Sequence, residues 1–392
     1  MKLVVIGLGQ CGGRIADEFA RLNGRAHSRR GIDIITGAFA VNTDAADLSG
    51  LTTIPKNYKH RILIGGRKTG GHGVGKVNEM GAEVAREDAD KVVDAIRTTK
   101  RFFETDAFLL VASAAGGTGS GAISVISQYL KQRYADKPIY NLIVLPFEHE
   151  ETTEERTAYN VATCVKSSYS VADAVFLVDN QRYVRKDSSI QYNLARINQM
   201  IVDPFYNLLC AGEEKKAKNI GGKLLDAGDI IQTLVGWTAI GHGRSEVPMF
   251  RFPRQWGNDF RKKGTEIQKG IQAMDEAISE LSLKCNPVDS RRAMYLVAGP
   301  AREMNMDLAK ELGDYMRDLC PEAVIRNGDY PREKTSLEVT VILSEMSDVE
   351  KVRNYFTKST ALIPELQKRQ TETELKLRAI EDAAKDIPSL LG

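Results

Sequence analysis

Three glycine-rich segments lie within the first 121 residues and have the composition of phosphate-binding loops. They are Gly7–Gly13 (GLGQCGG), Gly65–Gly75 (GGRKTGGHGVG) and Ala115–Gly121 (AGGTGSG). Successive glycines leave backbone N–H groups free to converge on phosphate oxygens, and a helix N-terminus behind such a loop adds partial positive charge. The third segment also carries the hydroxyls of Thr118 and Ser120, and we interpret it as a phosphate-binding loop.

The first two segments also match motifs of other nucleotide-binding proteins. The first fits G-x-G-x-x-G, with Asp44 as a ribose acid, so an NAD(P)- or FAD-dependent oxidoreductase is an alternative. Such a fold needs one glycine loop, however, and the third would be surplus. The second fits the P-loop pattern from Gly70 to Lys76, but Val77 stands where the P-loop needs a hydroxyl for magnesium. No strand is predicted before it either, and we reject the P-loop.

A pair of carboxylates three residues apart, Asp226 and Asp229, precedes an apolar segment with helical spacing. Taken alone, Asp229 is interpreted as a helix N-cap and Asp226 as an ordinary loop acid. Both would repel a polyphosphate held in the same pocket, since unit charges a few ångströms apart interact by roughly a few kcal/mol near a surface.

The elements that must position these residues alternate between strand and helix in the first half of the chain. Buried apolar runs separated by helices predict a doubly wound parallel sheet, whose ligands lie at the carboxyl ends of the strands. The predicted strands are Leu3–Ile6, Ile34–Val41, Ala107–Ala112, Ile139–Leu145 and Ala174–Val178, and the predicted helices are Arg14–Leu22 and Ile123–Lys131.

In the second half of the chain, the residue pattern predicts a long helical stretch and then a smaller mixed α/β unit. The long stretch runs from Ile190 to Leu209, with Pro204 as a kink or break. The clearest element predicted in the smaller unit is an amphipathic helix, Ile267–Leu281. Two strands, Ala293–Ala298 and Leu337–Leu343, flank a helix at Asp307–Leu319, and the end, Val349–Ile387, is predicted to be helical.

Composition excludes several classes of protein. The 54 basic and 52 acidic residues give a net charge of +2, which argues against a nucleic-acid partner. The five cysteines form no C-x-x-C pair, so neither a disulfide framework nor a cysteine zinc site is expected. The uncharged stretch from Ala107 to Leu130 is interrupted by glycines and predicts a strand, a loop and a helix rather than an integral membrane segment. The start has no signal-peptide pattern, and a cytoplasmic location is expected.

Three motifs in the expected order resemble those of the tubulin/FtsZ superfamily. Gly116–Gly121 matches its signature GGTGSG, Gly9–Gly12 matches the first loop of tubulins, and Asn42–Asp44 matches the second loop of FtsZ-like proteins. The combination is most similar to the archaeal FtsZ-like group called CetZ. The resemblance implies a GTP-binding domain over 1–186, a central helix and following loop over 187–223, a C-terminal α/β domain over 224–345 and a helical segment over 346–392.

The resemblance also implies roles for individual residues. The phosphates would be bound by Gly12, Gly73, Gly75, Gly116, Gly117, Thr118, Gly119, Ser120 and Gly121. The first two matching loops add Gly9, Gln10, Cys11, Asn42 and Asp44 as further nucleotide-binding residues. The ribose would be bound by Glu150 or Glu151 with Arg156, and guanine by Asn180 and Asn198. Leu194 stands where the family has an aromatic residue that stacks on the base, and Tyr192 is the aromatic residue nearby. Magnesium is expected on the phosphates, and no side chain is assigned to it.

The function implied is that of a cytoskeletal GTPase that binds GTP or GDP and assembles with itself head-to-tail. Asp226 and Asp229 match loop seven of the family and would complete the site of the neighbouring subunit, with Leu224 where FtsZ has asparagine. Resemblance to CetZ suggests control of cell shape. Because of Leu224, a non-hydrolysing protein that binds GDP structurally stays open as another alternative.

Overall fold

The computed structural model describes residues 1–154, 156–184, 190–246, 259–333 and 336–362, together with 364 and 368. In these parts of the chain, ten strands form one sheet in the order β3-β2-β1-β4-β5-β6-β7-β10-β8-β9. The strands are β1 (Leu3–Leu8), β2 (Ile35–Asn42), β3 (Arg61–Leu63), β4 (Ala107–Ser113), β5 (Ile139–Leu145), β6 (Ala174–Asp179), β7 (Gly236–Glu246), β8 (Ser290–Gly299), β9 (Val324–Pro331) and β10 (Ser336–Met346).

The sheet is parallel from β3 to β7 and mixed beyond it. Strand β7 pairs parallel to β6 on one side and antiparallel to β10 on the other. Strand β10 is also antiparallel to β8, and β8 is parallel to β9. The two halves of the molecule therefore share one continuous sheet, and β7 belongs to both.

Helices cover both faces of this sheet. They are α1 (Gly9–Arg30), α2 (Ala45–Ser49), α3 (Gly66–Thr69), α4 (Asn78–Glu87), α5 (Ala89–Arg97), α6 (Thr118–Arg133), α7 (Glu148–Thr153), α8 (Arg156–Val171), α9 (Ile190–Val202), α10 (Phe205–Ala211), α11 (Ala227–Thr233), α12 (Asp259–Ser279), α13 (Met306–Leu319) and α14 (350–362). Among the described helices, none has both the length and the apolar composition that crossing a bilayer requires.

Two hydrophobic cores lie on opposite faces of the sheet, because successive side chains of a strand point in opposite directions. Along β1, Val4, Ile6 and Leu8 contribute to one core, and Leu3 and Val5 to the other. The first core is covered by α4, α5, α6, α8, α12 and α13, and the second by α1, α9, α10 and α11. The result is a three-layer α/β/α arrangement, which places the described loops that follow β1, β2 and β4 together at one edge of the sheet.

The predicted fold class is confirmed, and so are the predicted elements that lie in described residues. The apolar segment over 107–130 forms β4 and α6, and the long helical stretch is broken between α9 and α10 by Pro204. Strands β3, β7 and β9 had not been predicted. The helical end is described over 350–362, and the rest of that prediction falls outside the described residues, apart from 364 and 368.

The Asp17 carboxylate, which is buried, helps to hold the long connection between β2 and β3 in place. Asp17 of α1 is 6% exposed and accepts four hydrogen bonds of 2.7 to 3.0 Å from residues 52–54. Burial raises the pKa of Asp17, but these hydrogen bonds together hold it below its ordinary value.

Candidate nucleotide-binding site

A cavity of about 290 Å³ lies at the carboxyl ends of β1, β2 and β4. Parallel strands of this kind bring the loops that follow them to one edge of the sheet, where ligands bind. Many of the residues predicted from sequence meet there. The cavity is lined by Leu8, Gly9, Gln10, Cys11, Asn42, Asp44, Asp47, Gly73, Lys76, Ser113, Ala115, Gly116, Gly117, Thr118, Gly119 and Glu150.

Two helix N-termini open onto this cavity. Helix α1 begins at Gly9 and α6 at Thr118, directly after their strand and loop, and neither has a side-chain cap or an acidic residue in its first turn. Uncapped N-termini leave backbone N–H groups without a partner and carry partial positive charge. The pair therefore forms a site suited to an anion with several oxygens, such as a polyphosphate.

The glycines of the third segment serve two different purposes. A Cβ on Gly117 would lie 2.6 Å from Val74 Cγ2, one on Gly119 would lie 2.7 Å from the Leu8 oxygen, and one on Gly121 would overlap the carbonyl of Asn78. Close packing alone therefore accounts for these three. Gly116 lines the cavity and a Cβ there would meet nothing within 4 Å, so no packing contact explains this glycine and a ligand can.

Gly12, Ser120 and Gly121 do not line the cavity. A Cβ on Gly12 would overlap the carbonyl of Val111, so this glycine lets α1 pack against β4. The Ser120 hydroxyl donates to the Gly116 carbonyl and holds the loop's shape. These residues shape the loops, and their neighbours face the cavity.

An acidic wall of Asn42, Asp44 and Asp47 lines the cavity beside the N-terminus of α1. The Asp47 carboxylate accepts hydrogen bonds from the Gln10 side chain at 2.6 Å and from the Asn42 side chain at 3.0 Å. Asp44 caps α2 by accepting from the Ala46 N–H at 2.8 Å. Asp47 had not been predicted, because its place in the site depends on the fold that brings it to Gln10, 37 residues away in sequence.

This wall also bears on the magnesium ion that the resemblance implies. Carboxylate and amide oxygens are the ligands that magnesium prefers, and it is commonly held by one or two carboxylates plus substrate phosphates. Asn42, Asp44 and Asp47 supply such oxygens. The described residues contain no cluster of three His, Cys, Asp or Glu that could hold a metal by themselves, so the residues present fit an ion shared with phosphate.

The two candidate ribose acids are consecutive residues of helix α7, and the turn of the helix points them in different directions. Glu150 lines the cavity and accepts a hydrogen bond from the Phe147 N–H at 3.0 Å. Glu151 points elsewhere, since consecutive helical residues lie about 100° apart, and its carboxylate meets Tyr355 and Lys358 of α14.

Burial, together with the nearby Glu150 charge, raises the pKa of the Cys11 thiol to about 12, so Cys11 stays protonated and is a poor nucleophile.

The second glycine segment closes one side of the cavity. Gly73 lines it with a φ of 80°, while Gly75 (φ 55°) does not. Lys76 lines the cavity as well, and its ammonium lies 2.7 Å from the Glu154 carboxylate. The expectation that no strand precedes this segment was wrong, since β3 does so. Strand β3 has three residues, too few for a periodic pattern.

Apart from Glu150, the residues predicted for the ribose and base lie outside the cavity lining. The Arg156 guanidinium pairs with the Glu79 carboxylate. Asn180 begins the turn that follows β6, at the same edge of the sheet as the cavity. Leu194 and Asn198 are half-buried on α9, which packs against both α1 and that turn. Tyr192, the nearby aromatic, has a side chain outside the described residues.

Asp226 and Asp229 lie at the opposite edge of the sheet. They belong to α11, which immediately precedes β7, and the Gly236 N–H donates to the Asp173 carbonyl at the amino end of β6. Because β7 runs parallel to β6, α11 lies at the amino ends of the strands and the cavity at their carboxyl ends. Within one subunit the pair and the cavity are separated by the length of the strands.

The helix cap at this edge differs from the prediction. Asp226, not Asp229, is the N-cap of α11, and its carboxylate accepts from the Asp229 N–H at 2.9 Å. The Asp229 carboxylate faces Arg326 of β9, whose Nε lies 3.5 Å away. Leu224 is 43% exposed just before this pair.

Comparison with known proteins agrees with this architecture. The family profile described as "Tubulin/FtsZ family, GTPase domain" matches residues 2–186, and "Tubulin-like CetZ, C-terminal domain" matches residues 187–361. The chain is 31% identical to the tubulin-like protein CetZ1 of Haloferax volcanii over 90% of each chain.

Solved structures give the same result. A GDP-bound monomer of CetZ1 from Haloferax volcanii is 29% identical, with a TM-score of 0.78 over 92% of this chain and 99% of that one. A GTPγS-bound protofilament of CetZ2 from the same organism is 27% identical, with a TM-score of 0.79 over 94% of this chain and all of that one. The family matches agree with the two helix N-termini at one edge of a ten-strand sheet that both halves of the molecule share. The chain therefore belongs to the tubulin/FtsZ family, in its CetZ group.

Proposed function

We propose that the chain binds GTP in the cavity at the carboxyl ends of its strands and hydrolyses it only where two subunits meet head-to-tail. The observation that carries the proposal is the separation of parts: phosphate-binding backbone at one edge of the sheet, and two carboxylates at the other. A contact that joins opposite edges is heterologous and does not close, so it builds filaments. The relatives solved as a GDP-bound monomer and a GTPγS-bound protofilament support it.

The nucleotide would be held from the phosphates outward. The N–H groups of α1 and α6 bind the β- and γ-phosphates, with Gly116 at closest approach and Gly73 closing the side. Glu150 binds the ribose, in preference to Glu151. Asn180 and Asn198 hold guanine through amide groups that both donate and accept. Magnesium, shared between the phosphates and the wall of Asn42, Asp44 and Asp47, supplies charge neutralisation when bound.

Asp226 and Asp229 would act on the nucleotide of the adjacent subunit. At about 4 Å, a carboxylate and a phosphate charge repel by roughly 4 kcal/mol near a protein surface. Keeping the acids away from the resting pocket therefore favours binding, and bringing them in on assembly allows them to orient the attacking water and accept its proton. Hydrolysis then depends on contact between subunits.

The test is GTP turnover per subunit across a dilution series. We expect turnover to fall steeply at low protein concentration, and flat turnover would refute catalysis across the contact. Asp226→Asn and Asp229→Asn together should keep GDP affinity and the helix cap while turnover falls at least a hundredfold. Asp90→Asn, an exposed acid in the first turn of α5, is the matched control and should hydrolyse GTP normally.

The exposed Leu224 favours a second candidate function, that of a protein that binds GDP structurally and does not hydrolyse GTP. The same assay distinguishes this candidate from the first. Such a protein would bind GDP in the wild-type form and show no turnover at any concentration. The proposal extends to a cytoplasmic filament that controls cell shape, and its check is the outline of cells in which the Asp226→Asn, Asp229→Asn variant replaces the natural chain.

A further inference from the structure

Helix α14 packs on the sheet beside the strands that carry the ribose and base loops. Val349, Val352 and Tyr355 are 2 to 5% exposed and belong to the same core as Val175 and Leu177 of β6. These three apolar contacts fix the position of the helix. Its polar residues therefore meet the loops in a defined geometry.

The first polar contact is with the loop that follows β5. The Tyr355 hydroxyl donates to Glu151 Oε1, and Lys358 Nζ lies 2.9 Å from Glu151 Oε2. Burial and the adjacent carboxylate raise the pKa of Tyr355 well above its ordinary value, so the hydroxyl keeps its proton and donates it. Both oxygens of Glu151 are thereby held, and its neighbour Glu150 lines the nucleotide cavity.

The second contact is with the turn that follows β6. Lys351 Nζ lies 2.7 Å from Asp179 Oδ2. The other oxygen of Asp179 accepts from the Gln181 N–H at 3.1 Å, and the Gln181 side chain in turn accepts from the Glu148 N–H at 3.3 Å. This chain of contacts joins α14, the turn that begins at Asn180, and α7.

A cavity of about 560 Å³ lies beside these contacts, between parts of α14 and the loops, and most of its lining residues are charged. Where the cavity lies, the two parts do not pack directly, and the polar contacts at its border join them. In each loop, the residue tied to α14 directly adjoins a residue assigned to the nucleotide: Glu151 beside Glu150, and Asp179 beside Asn180.

We propose that Lys351, Tyr355 and Lys358 are positioning residues for the ribose and base end of the nucleotide site. This rests on the proposed function, because it assumes that Glu150 and Asn180 bind guanine nucleotide. The nucleotide and α14 are then energetically coupled, and the coupling acts in both directions. Any partner that displaces α14 lowers nucleotide affinity, and bound nucleotide holds α14 in place.

The experiment compares GDP affinity by calorimetry in protein dilute enough to stay unassembled. The variant Lys351→Gln, Tyr355→Phe, Lys358→Gln removes the polar contacts and keeps the buried ring, and we expect about tenfold weaker GDP binding. Arg353→Gln is the matched control, because Arg353 is an exposed cation of the same helix that pairs with Asp348. It should bind GDP like the wild type. A triple variant that carries Lys358→Arg in place of Lys358→Gln should recover part of the loss.

Amide hydrogen exchange provides a second measurement, which would not change if Lys351, Tyr355 and Lys358 had a merely structural role. GDP should slow exchange in residues 350–362 of the wild type, and this protection should be lost in the triple variant. Should the triple variant melt early, Tyr355→Phe alone is measured, with an expected two- to threefold loss. Unchanged GDP affinity, or affinity lost without protection of α14 by GDP, overturns the inference. A wild type that binds no GDP overturns the proposed function instead.

Discussion

Gly116→Ala and Gly121→Ala separate binding from folding within one loop. A Cβ on Gly116 meets no atom within 4 Å, so the free energy of unfolding should change by no more than about 0.5 kcal/mol. A Cβ on Gly121 would overlap the Asn78 carbonyl and lie 2.6 Å from the Ala82 nitrogen. Helices α4 and α6 must then separate, and the cost should reach the upper end of about 1–3 kcal/mol for overpacking.

Nucleotide affinity should respond in the opposite order. A methyl group on Gly116 stands where a phosphate would approach the backbone, and each charge-assisted hydrogen bond lost costs about 1.5–3 kcal/mol. At 1.4 kcal/mol per factor of ten, GDP binding should weaken about 10- to 150-fold.

Urea unfolding and GDP calorimetry on the two variants provide the assay. Gly121→Ala should bind GDP to within a few-fold under conditions where it is folded. Wild-type GDP affinity in Gly116→Ala, or an equal loss of stability in both variants, would refute the assignment of Gly116 to the phosphates.

Three further predictions follow from individual contacts. Asp17→Asn should lower the free energy of unfolding at pH 7 by about 2–3 kcal/mol, because a neutral amide cannot accept four hydrogen bonds. Since the folded pKa of Asp17 lies below its ordinary value, this stabilisation is fully present above about pH 4 and is lost as pH falls through the folded pKa; an equal difference between variant and wild type in urea at pH 7 and pH 3 would contradict it. Arg326→Gln frees the Asp229 carboxylate and should reduce GTP turnover about tenfold with unchanged GDP affinity; loss of affinity would count against it. Glu150→Gln should weaken GDP binding several-fold but leave 2′,3′-dideoxy-GDP unaffected, and equal losses for both nucleotides would show that Glu150 does not bind the ribose.

The strands that sequence predicted are those with continuous apolar runs, and the missed ones lack that pattern for physical reasons. Strand β7 contains Gly241 and Gly243, where a Cβ would overlap the carbonyls of Ala277 and Ala273 in α12. The glycines let α12 pack close to β7, and they also interrupt the run of apolar residues from which a strand would be predicted. Strand β9 is an edge strand whose middle reads Arg-Asn-Gly-Asp, which resembles a loop in composition.

More of the residues predicted for the phosphates than of those predicted for the ribose and base meet in the cavity. Glycine loops after strands have a recognisable spacing, and Gly9, Gly73 and Gly116 do line one cavity. That Glu150 and not Glu151 lines the cavity depends on the rotation of α7, which spacing alone does not give. The contacts of Glu151 with α14 join residues about 200 positions apart, and no local pattern carries such information.

The pairing of β7 with β6 has a consequence for how the chain reaches its native state. The two family profiles meet at residue 186, yet β6, which pairs with β5 on one side, gains its second neighbour only when residues 236–238 have been synthesised. A nascent chain that ends between these points carries an uncovered, apolar edge in the middle of its future sheet, and such edges recruit strands from other molecules. The strand that covers this edge of the first half is thus supplied by residues of the second, so a first half produced alone would expose β6.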